Sequence, residues 1–346
     1  MSARQVETQI SAIPPRETTA LFGHRDAEAG LLNAYRGGRI PHAWLIGGAA
    51  GIGKATLAYR MARFVLAHRN PLGSDAQRAE SLWVDPSDPV ARQVAAGAHG
   101  GLLTLERSLN DKGVMRTVIT VDETRETISF FGSTAAVEGW RVCIVDTVDE
   151  LNPNAANALL KVLEEPPQQS LFLLVSHAPA RVLPTILSRC RKLLLRPLAT
   201  DDVIRAAAQA TGIAADDPAL SEAAEAAEGS VARALTLLGG DALKLQQRTA
   251  ALLSTLPRVD PRELHALGDA LGGSDRVALA AFIDSVDRWV SDRLHADEAN
   301  ANLPRLARLA EVWEKINRAA RDTADYNLER KPLVFSVFGL LAEATR

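Results

Sequence analysis

Apolar positions divide the chain into two regimes. Between about residue 20 and residue 198, short continuous apolar runs alternate with amphipathic stretches. The runs Ala43–Gly47, Leu102–Leu105, Val118–Val121, Val142–Asp146, Leu171–Ser176 and Lys192–Leu195 predict strands, several of them buried on both faces as in a parallel sheet. Helices are predicted between them. One covers Ala55–Phe64, apolar at Leu57, Met61 and Phe64. Another follows Asp146: Asn152 suits the N-cap, Pro153 the first helical position, and Ala156, Leu159, Leu160 and Leu163 form the apolar stripe. Pro166-Pro167 stops it. Strand-helix alternation of this kind predicts an α/β fold of three layers around a parallel sheet. The stretch Asn70–Gly100 has weak periodicity, and a connection of that length is usually functional or a decayed insertion.

From Thr200 onward the strand pattern disappears. Thr200 is placed to cap a helix over Asp201–Ala210, and Pro218–Glu228 and Ser230–Leu238 predict two more, with Gly229 between them. Beyond Gly239-Gly240 the pattern stays helical to the end. Leu279, Phe282, Ile283, Val286, Val290 and Leu294 share one helix face, and Leu306, Leu309, Trp313, Ile316 and Ala320 share another, as in a bundle core. The expected organisation is a loose polar arm over residues 1–19, an α/β domain over 20–198, a small helical unit over 199–240 and a helical C-terminal domain over 241–346.

Composition narrows the class. The 346 residues are 47% apolar and 23% charged, as in an ordinary globular protein. A net charge of −3 provides no overall field for nucleic acid, so any contact with DNA is expected to be local or shared with partners. Two cysteines, Cys143 and Cys190, exclude a disulfide scaffold and a four-cysteine zinc site and suit a reducing cytoplasm. No apolar run is long enough to predict a membrane span.

The candidate chemistry starts at Gly48–Lys54, which reads Gly-Ala-Ala-Gly-Ile-Gly-Lys between a predicted strand and a predicted helix. That is the context of a phosphate-binding loop, in which Gly48, Gly51 and Gly53 expose backbone amides and Lys54 reaches the terminal phosphates. The next position normally carries the Ser or Thr that holds magnesium, and here it is Ala55. Thr56 lies one residue further on, about 100° around the helix axis, so it does not replace that hydroxyl. Val142–Asp146 has the form of the second nucleotide motif, an apolar strand ending in a carboxylate. Thr147 stands where a working site has a Glu to position the attacking water. ATP or ADP remains compatible with the retained glycines, Lys54, Thr56 and Asp146, without the full metal chemistry. Ser188-Arg189-Cys190 precedes the last strand. Arg189 is either a surface side chain paired with a local carboxylate or a group that reaches a neighbouring molecule's phosphates.

Three segments together resemble the bacterial clamp-loader branch of the AAA+ proteins: Gly48–Lys54, Val142–Pro167 with its run Asn157–Pro167, and Leu183–Cys190. The resemblance covers about residues 20–240 and extends weakly to Asp325–Lys331. It implies a RecA-like nucleotide domain, a helical lid and a C-terminal collar. It also implies a place in a hetero-pentameric ring with tau/gamma motor subunits and a delta subunit, which loads a sliding clamp on primed DNA. In this family the Arg of the Ser-Arg-Cys triplet serves the ATP site of the adjacent motor subunit, which carries over to Arg189. Relatives often have a four-cysteine zinc module, for which this chain lacks the cysteines between Asn70 and Gly100. The family's lid arginine falls at Ala232, with Arg233 one place late. Ala55, Thr147 and Ala232 therefore point to a subunit of a DNA polymerase assembly with no polymerase activity and little ATPase of its own, requiring no cofactor. The competing reading is a self-sufficient AAA+ ATPase acting on DNA, supported by Lys54 and Asp146. A small-molecule kinase leaves the helical C-terminal half without a role.

Overall fold

A computed structural model describes residues 13–108, 116, 118–132, 139–238, 241–272, 276–298, 303–326 and 328–345. The Gly239-Gly240 break, Asn327 and most of the predicted N-terminal arm lie outside the described residues. The chain forms two compact units, one ending at Ala234 and the other running from Leu235 to Arg346.

The first unit alternates helix and strand in the order α1 (Arg25–Arg36), β1 (Ala43–Gly47), α2 (Lys54–Ala67), α3 (Ser74–Arg78), α4 (Pro89–Ala95), β2 (Leu102–Glu106), α5 (Val121–Gly132) and β3 (Arg141–Asp146). It continues with α6 (Pro153–Glu164), β4 (Ser170–Ser176), α7 (Pro184–Leu187), β5 (Arg191–Leu194), α8 (Thr200–Thr211), α9 (Pro218–Ala226) and α10 (Val231–Leu237). The five strands form one parallel sheet in the order β2-β3-β4-β1-β5. Both β1 and β4 are buried along their whole length, as their uninterrupted apolar runs require. Trp44, Ile46, Val142, Ile144, Leu171 and Leu173 pack with Leu57, Met61 and Phe64 of α2 on one face. Leu45, Cys143, Val145, Phe172 and Leu174 pack with Leu159 and Leu163 of α6 on the other, completing the three layers. Register aligns the carboxyl ends, pairing Gly47 with Ser176 and Glu106 with Asp146. In open α/β sheets that end, where strand order reverses, is where ligands bind.

The structure corrects several expectations. Val118–Val121 is not a strand: Ile119 makes one isolated bridge to Leu151, and Val121 opens α5. Glu123 reaches back to accept from the Thr120 amide at 2.6 Å and from its hydroxyl at 2.9 Å, an arrangement that fixes a helix start. Thr200 does not cap α8; it is the first helical residue, and Ala199 occupies the cap. Within Asn70–Gly100 the chain forms α3 and α4, the second capped by Asp88. Residues 13–19 are not a loose arm. Arg63 of α2 is 3% exposed and donates to the carbonyls of Pro15, Arg16 and Thr18, the last at 2.6 Å. Beside it Arg60 pairs with Glu28 at 2.6 Å and donates to the Thr19 carbonyl.

The second unit consists of α11 (Asp241–Ser254), α12 (Pro261–Leu271), α13 (Arg276–Glu298), α14 (Leu303–Asp325) and α15 (Arg330–Ala344). Its core joins Leu279, Phe282, Val286 and Val290 to Leu309 and Ile316, following the predicted stripes. Trp313 departs from its stripe: it is 38% exposed, its indole N–H donates to Asp287 at 2.7 Å, and Val312 takes the buried position. Among the described residues no helix is long and apolar enough to cross a membrane.

Candidate functional site: a self-engaged phosphate loop and a remote arginine

The loop Gly48–Gly53 leaves β1 at the sheet's carboxyl end and enters α2 at Lys54. Gly48, Gly51 and Gly53 have φ of 148°, 74° and 97°, values that side-chain-bearing residues rarely adopt and that a concave amide loop needs. Its carbonyls are taken up by the protein in sequence. Lys54 Nζ donates to Gly48 O at 2.8 Å and to Ala49 O. The Ser230 hydroxyl donates to Ala50 O at 2.9 Å, and the Val231 amide to Gly51 O at 2.9 Å. His24 Nε2 bonds Ile52 O at 2.8 Å. The start of α10 is thus clasped onto the loop, and Lys54 is folded onto the loop's own backbone. Lys54 is 3% exposed. Burial lowers its ammonium to a pKa of about 8, against the opposing charges of Asp146 and Asp149.

Asp146 stands at the tip of β3, where burial first and Glu106 second raise its carboxyl above the ordinary value, opposed by Lys54 and Arg107. Thr147 is 4% exposed, and its hydroxyl is buried without a hydrogen-bond partner. A hydroxyl there cannot take a proton from water as a carboxylate does. Asp149 accepts from the Ser176 hydroxyl at 2.7 Å and from the amides of His177 and Ala178, locking the β3 and β4 exits together. Glu150 pairs with Arg107 at 2.9 Å. Sequence reading missed Glu106, Arg107, Ser176 and His24; only strand register and a contact between segments distant in sequence reveal them. Gly48, Gly51, Gly53, Lys54 and Asp146 come together as expected. Ala55 and Thr56 follow on α2, with Thr56 half-buried.

The lysine's burial has a measurable consequence. Its folded pKa of about 8 lies below the unfolded value of about 10.4, so the unfolded chain holds more protons between those limits and stability rises with pH there. Relative to a Lys54→Met variant, the native chain should gain on the order of 3 kcal/mol between pH 8 and about pH 10.4. Urea unfolding of both proteins at the two pH values measures it. A pH-independent difference would show that Lys54 is solvated.

Arg189 is elsewhere. It follows α7 and precedes β5, whose Arg191 pairs with Trp44, while the loop begins beyond Gly47 at the opposite end. The intervening rise along the sheet is about 10 Å. Its side chain is 33% exposed and pairs with Glu164 at 2.6 Å, the local partnership open to any surface Arg. Nη1 donates to Thr185 O at 2.8 Å and to the Ser188 hydroxyl at 3.3 Å. These contacts engage three of the guanidinium's roughly five donors.

Comparison with known proteins gives this geometry its family. A family model described as DNA polymerase III, delta subunit, matches residues 23–199. The chain is 38% identical over 156 residues to DNA polymerase III subunit delta' of Pseudomonas aeruginosa, covering 44% of this chain and 43% of that protein. It is 28% identical over 250 residues to subunit tau of Escherichia coli, covering 70% of this chain and 36% of that one. It is 29% identical over 328 residues to subunit gamma/tau of Mycobacterium tuberculosis H37Rv, covering 91% and 53%. The chain thus spans 36% to 53% of the length of these relatives. Among solved structures, a gamma subunit-related protein of Thermotoga maritima aligns with a TM-score of 0.43 at 17% identity, covering 91% of this chain and 99% of that one. With the family model matching residues 23–199 of 346, the chain belongs to the DNA polymerase III delta-subunit family and is delta-prime-like.

Proposed function

We propose that this chain is an ATPase-deficient stator of the DNA polymerase III clamp loader. It scaffolds a hetero-pentameric ring with tau/gamma motor subunits and a delta subunit, and supplies Arg189 in trans to a motor subunit's ATP. The ring loads the sliding clamp onto primed DNA in the cytoplasm. The chain itself requires no nucleotide and no zinc, and ATP or ADP at its loop is dispensable.

The observation that carries this reading is a division of labour across the sheet. At the carboxyl end, Lys54 engages the loop's own carbonyls, and Ala55 and Thr147 replace the metal and water ligands. At the other end, a partly exposed guanidinium is braced by short contacts and too far from the loop to serve it. Such a group suits phosphate charge on another molecule. The purified chain is expected to hydrolyse ATP no faster than a protein-free control, with or without magnesium. The second reading, a self-sufficient AAA+ ATPase acting on DNA, draws on Asp146 and Lys54 sharing one site. Robust hydrolysis abolished by Lys54→Ala would establish it and overturn the first.

A further inference from the structure

The partner of Arg189 stands at an electrostatically unfavourable position. Glu164 is the last residue of α6, where the helix dipole opposes negative charge and the run is cut off before Pro166-Pro167. A carboxylate placed there gains by holding a cation, and the cation it holds is Arg189, at 2.6 Å between Nη2 and Oε1. Both side chains reach solvent, with 33% of Arg189 and 49% of Glu164 exposed, so an incoming anion has access to the pair. The other two contacts of the guanidinium, from Nη1 to Thr185 O and to the Ser188 hydroxyl, lie within the α7 turn and are neutral. Exchanging anions at Nη2 would leave that brace in place.

We propose that Glu164 parks Arg189 between turnovers, so that the finger engages a neighbour's triphosphate by exchanging one anion for another. This rests on the reading of Arg189 as a finger acting in trans. Glu164 acts through Arg189 and touches no substrate, so it is a regulatory counter-ion. A parked fraction lowers apparent affinity without lowering the rate of the engaged state.

The test compares Glu164→Gln, Arg189→Ala and the double variant in reconstituted rings, measuring ATPase against ATP concentration. Glu164→Gln removes the charge, keeps the shape and sits half-exposed, so its thermal unfolding should match that of the native chain. It should lower the ATP concentration for half-maximal turnover about two- to fivefold, the range of an exposed ion pair, at unchanged maximal rate. In the Arg189→Ala background it should change nothing, because the two side chains act as one unit. A fall in maximal rate toward that of Arg189→Ala would make Glu164 a brace and overturn the parking role. A Glu164→Gln ring identical to the native one would overturn it as well. Normal turnover with Arg189→Ala would instead sink the finger reading, a result separable from either failure of Glu164.

Discussion

On the proposed trans role, replacing Arg189 with Ala should remove most ATP turnover at a neighbouring motor subunit's site while leaving a reconstituted ring assembled. A finger contributes about a thousandfold or more to phosphoryl transfer, because it pairs with the phosphate charge already in the bound triphosphate and far more strongly in the transition state. The ring's summed ATPase should fall by the share that depends on that site, and the rate of clamp loading should fall further if all sites must fire. Stability and assembly should change little. The pair with Glu164 is partly exposed, with side chains 33% and 49% accessible, and pairs of this kind contribute about 1 kcal/mol or less. Arg189→Lys should rescue poorly, since an ammonium keeps the charge and loses the planar fork. Size-exclusion chromatography of the mixed subunits checks assembly, and steady-state and single-turnover ATPase check the chemistry. Native turnover in the Ala ring would refute the trans role.

Both ends of this arrangement were legible in the sequence to different degrees. The strands at the sheet's centre were, because residues such as Leu171–Val175 must be apolar on both faces and leave an uninterrupted run. The α6 start was legible because Asn152 and Pro153 act locally, and the Asn152 side chain accepts from the Ala155 amide at 2.8 Å. Val118–Val121 misled because its β-branched residues favour a strand, whereas Thr120 and Glu123, three apart, were the stronger local signal. The candidate site was half visible. Gly48–Lys54 and Asp146 are contiguous motifs, and Ala55 and Thr147 are read directly as departures. The clasp between Ser230 and Ala50 joins residues 180 apart, and no local pattern encodes it. Glu106 likewise enters the site through register alone, opposite Asp146. Trp313 escaped its stripe because an indole N–H seeks an acceptor, and Asp287 supplies one at the surface.

The clasp also sets a large stability effect for a single small substitution. Gly229 precedes the residues that grip the loop, and its φ of 85° is one that an alanine adopts at a cost of about 1–2 kcal/mol. A Cβ there would lie 2.6 Å from the Leu198 amide nitrogen, 2.6 Å from Pro197 Cβ and 2.7 Å from the Leu198 carbonyl oxygen. These neighbours are backbone or proline ring and cannot rotate away, and the Leu198 amide is itself bonded to Gly229 O at 3.1 Å. Overpacking of this kind adds about 1–3 kcal/mol, so Gly229→Ala should cost about 2–5 kcal/mol in all. Gly212 is the matched control: its φ is 74°, and nothing lies within 4 Å of the added carbon, so Gly212→Ala should show the backbone cost alone. The difference between the two in urea unfolding isolates the contact between the 197–198 segment and the turn before α10. Because Ser230 and Val231 follow directly, the Gly229 variant should also loosen their bonds to Ala50 and Gly51, seen as faster hydrogen exchange at the Val231 amide. If Gly229→Ala is no worse than Gly212→Ala and that amide stays protected, the turn yields without strain and the start of α10 does not depend on glycine to hold the loop.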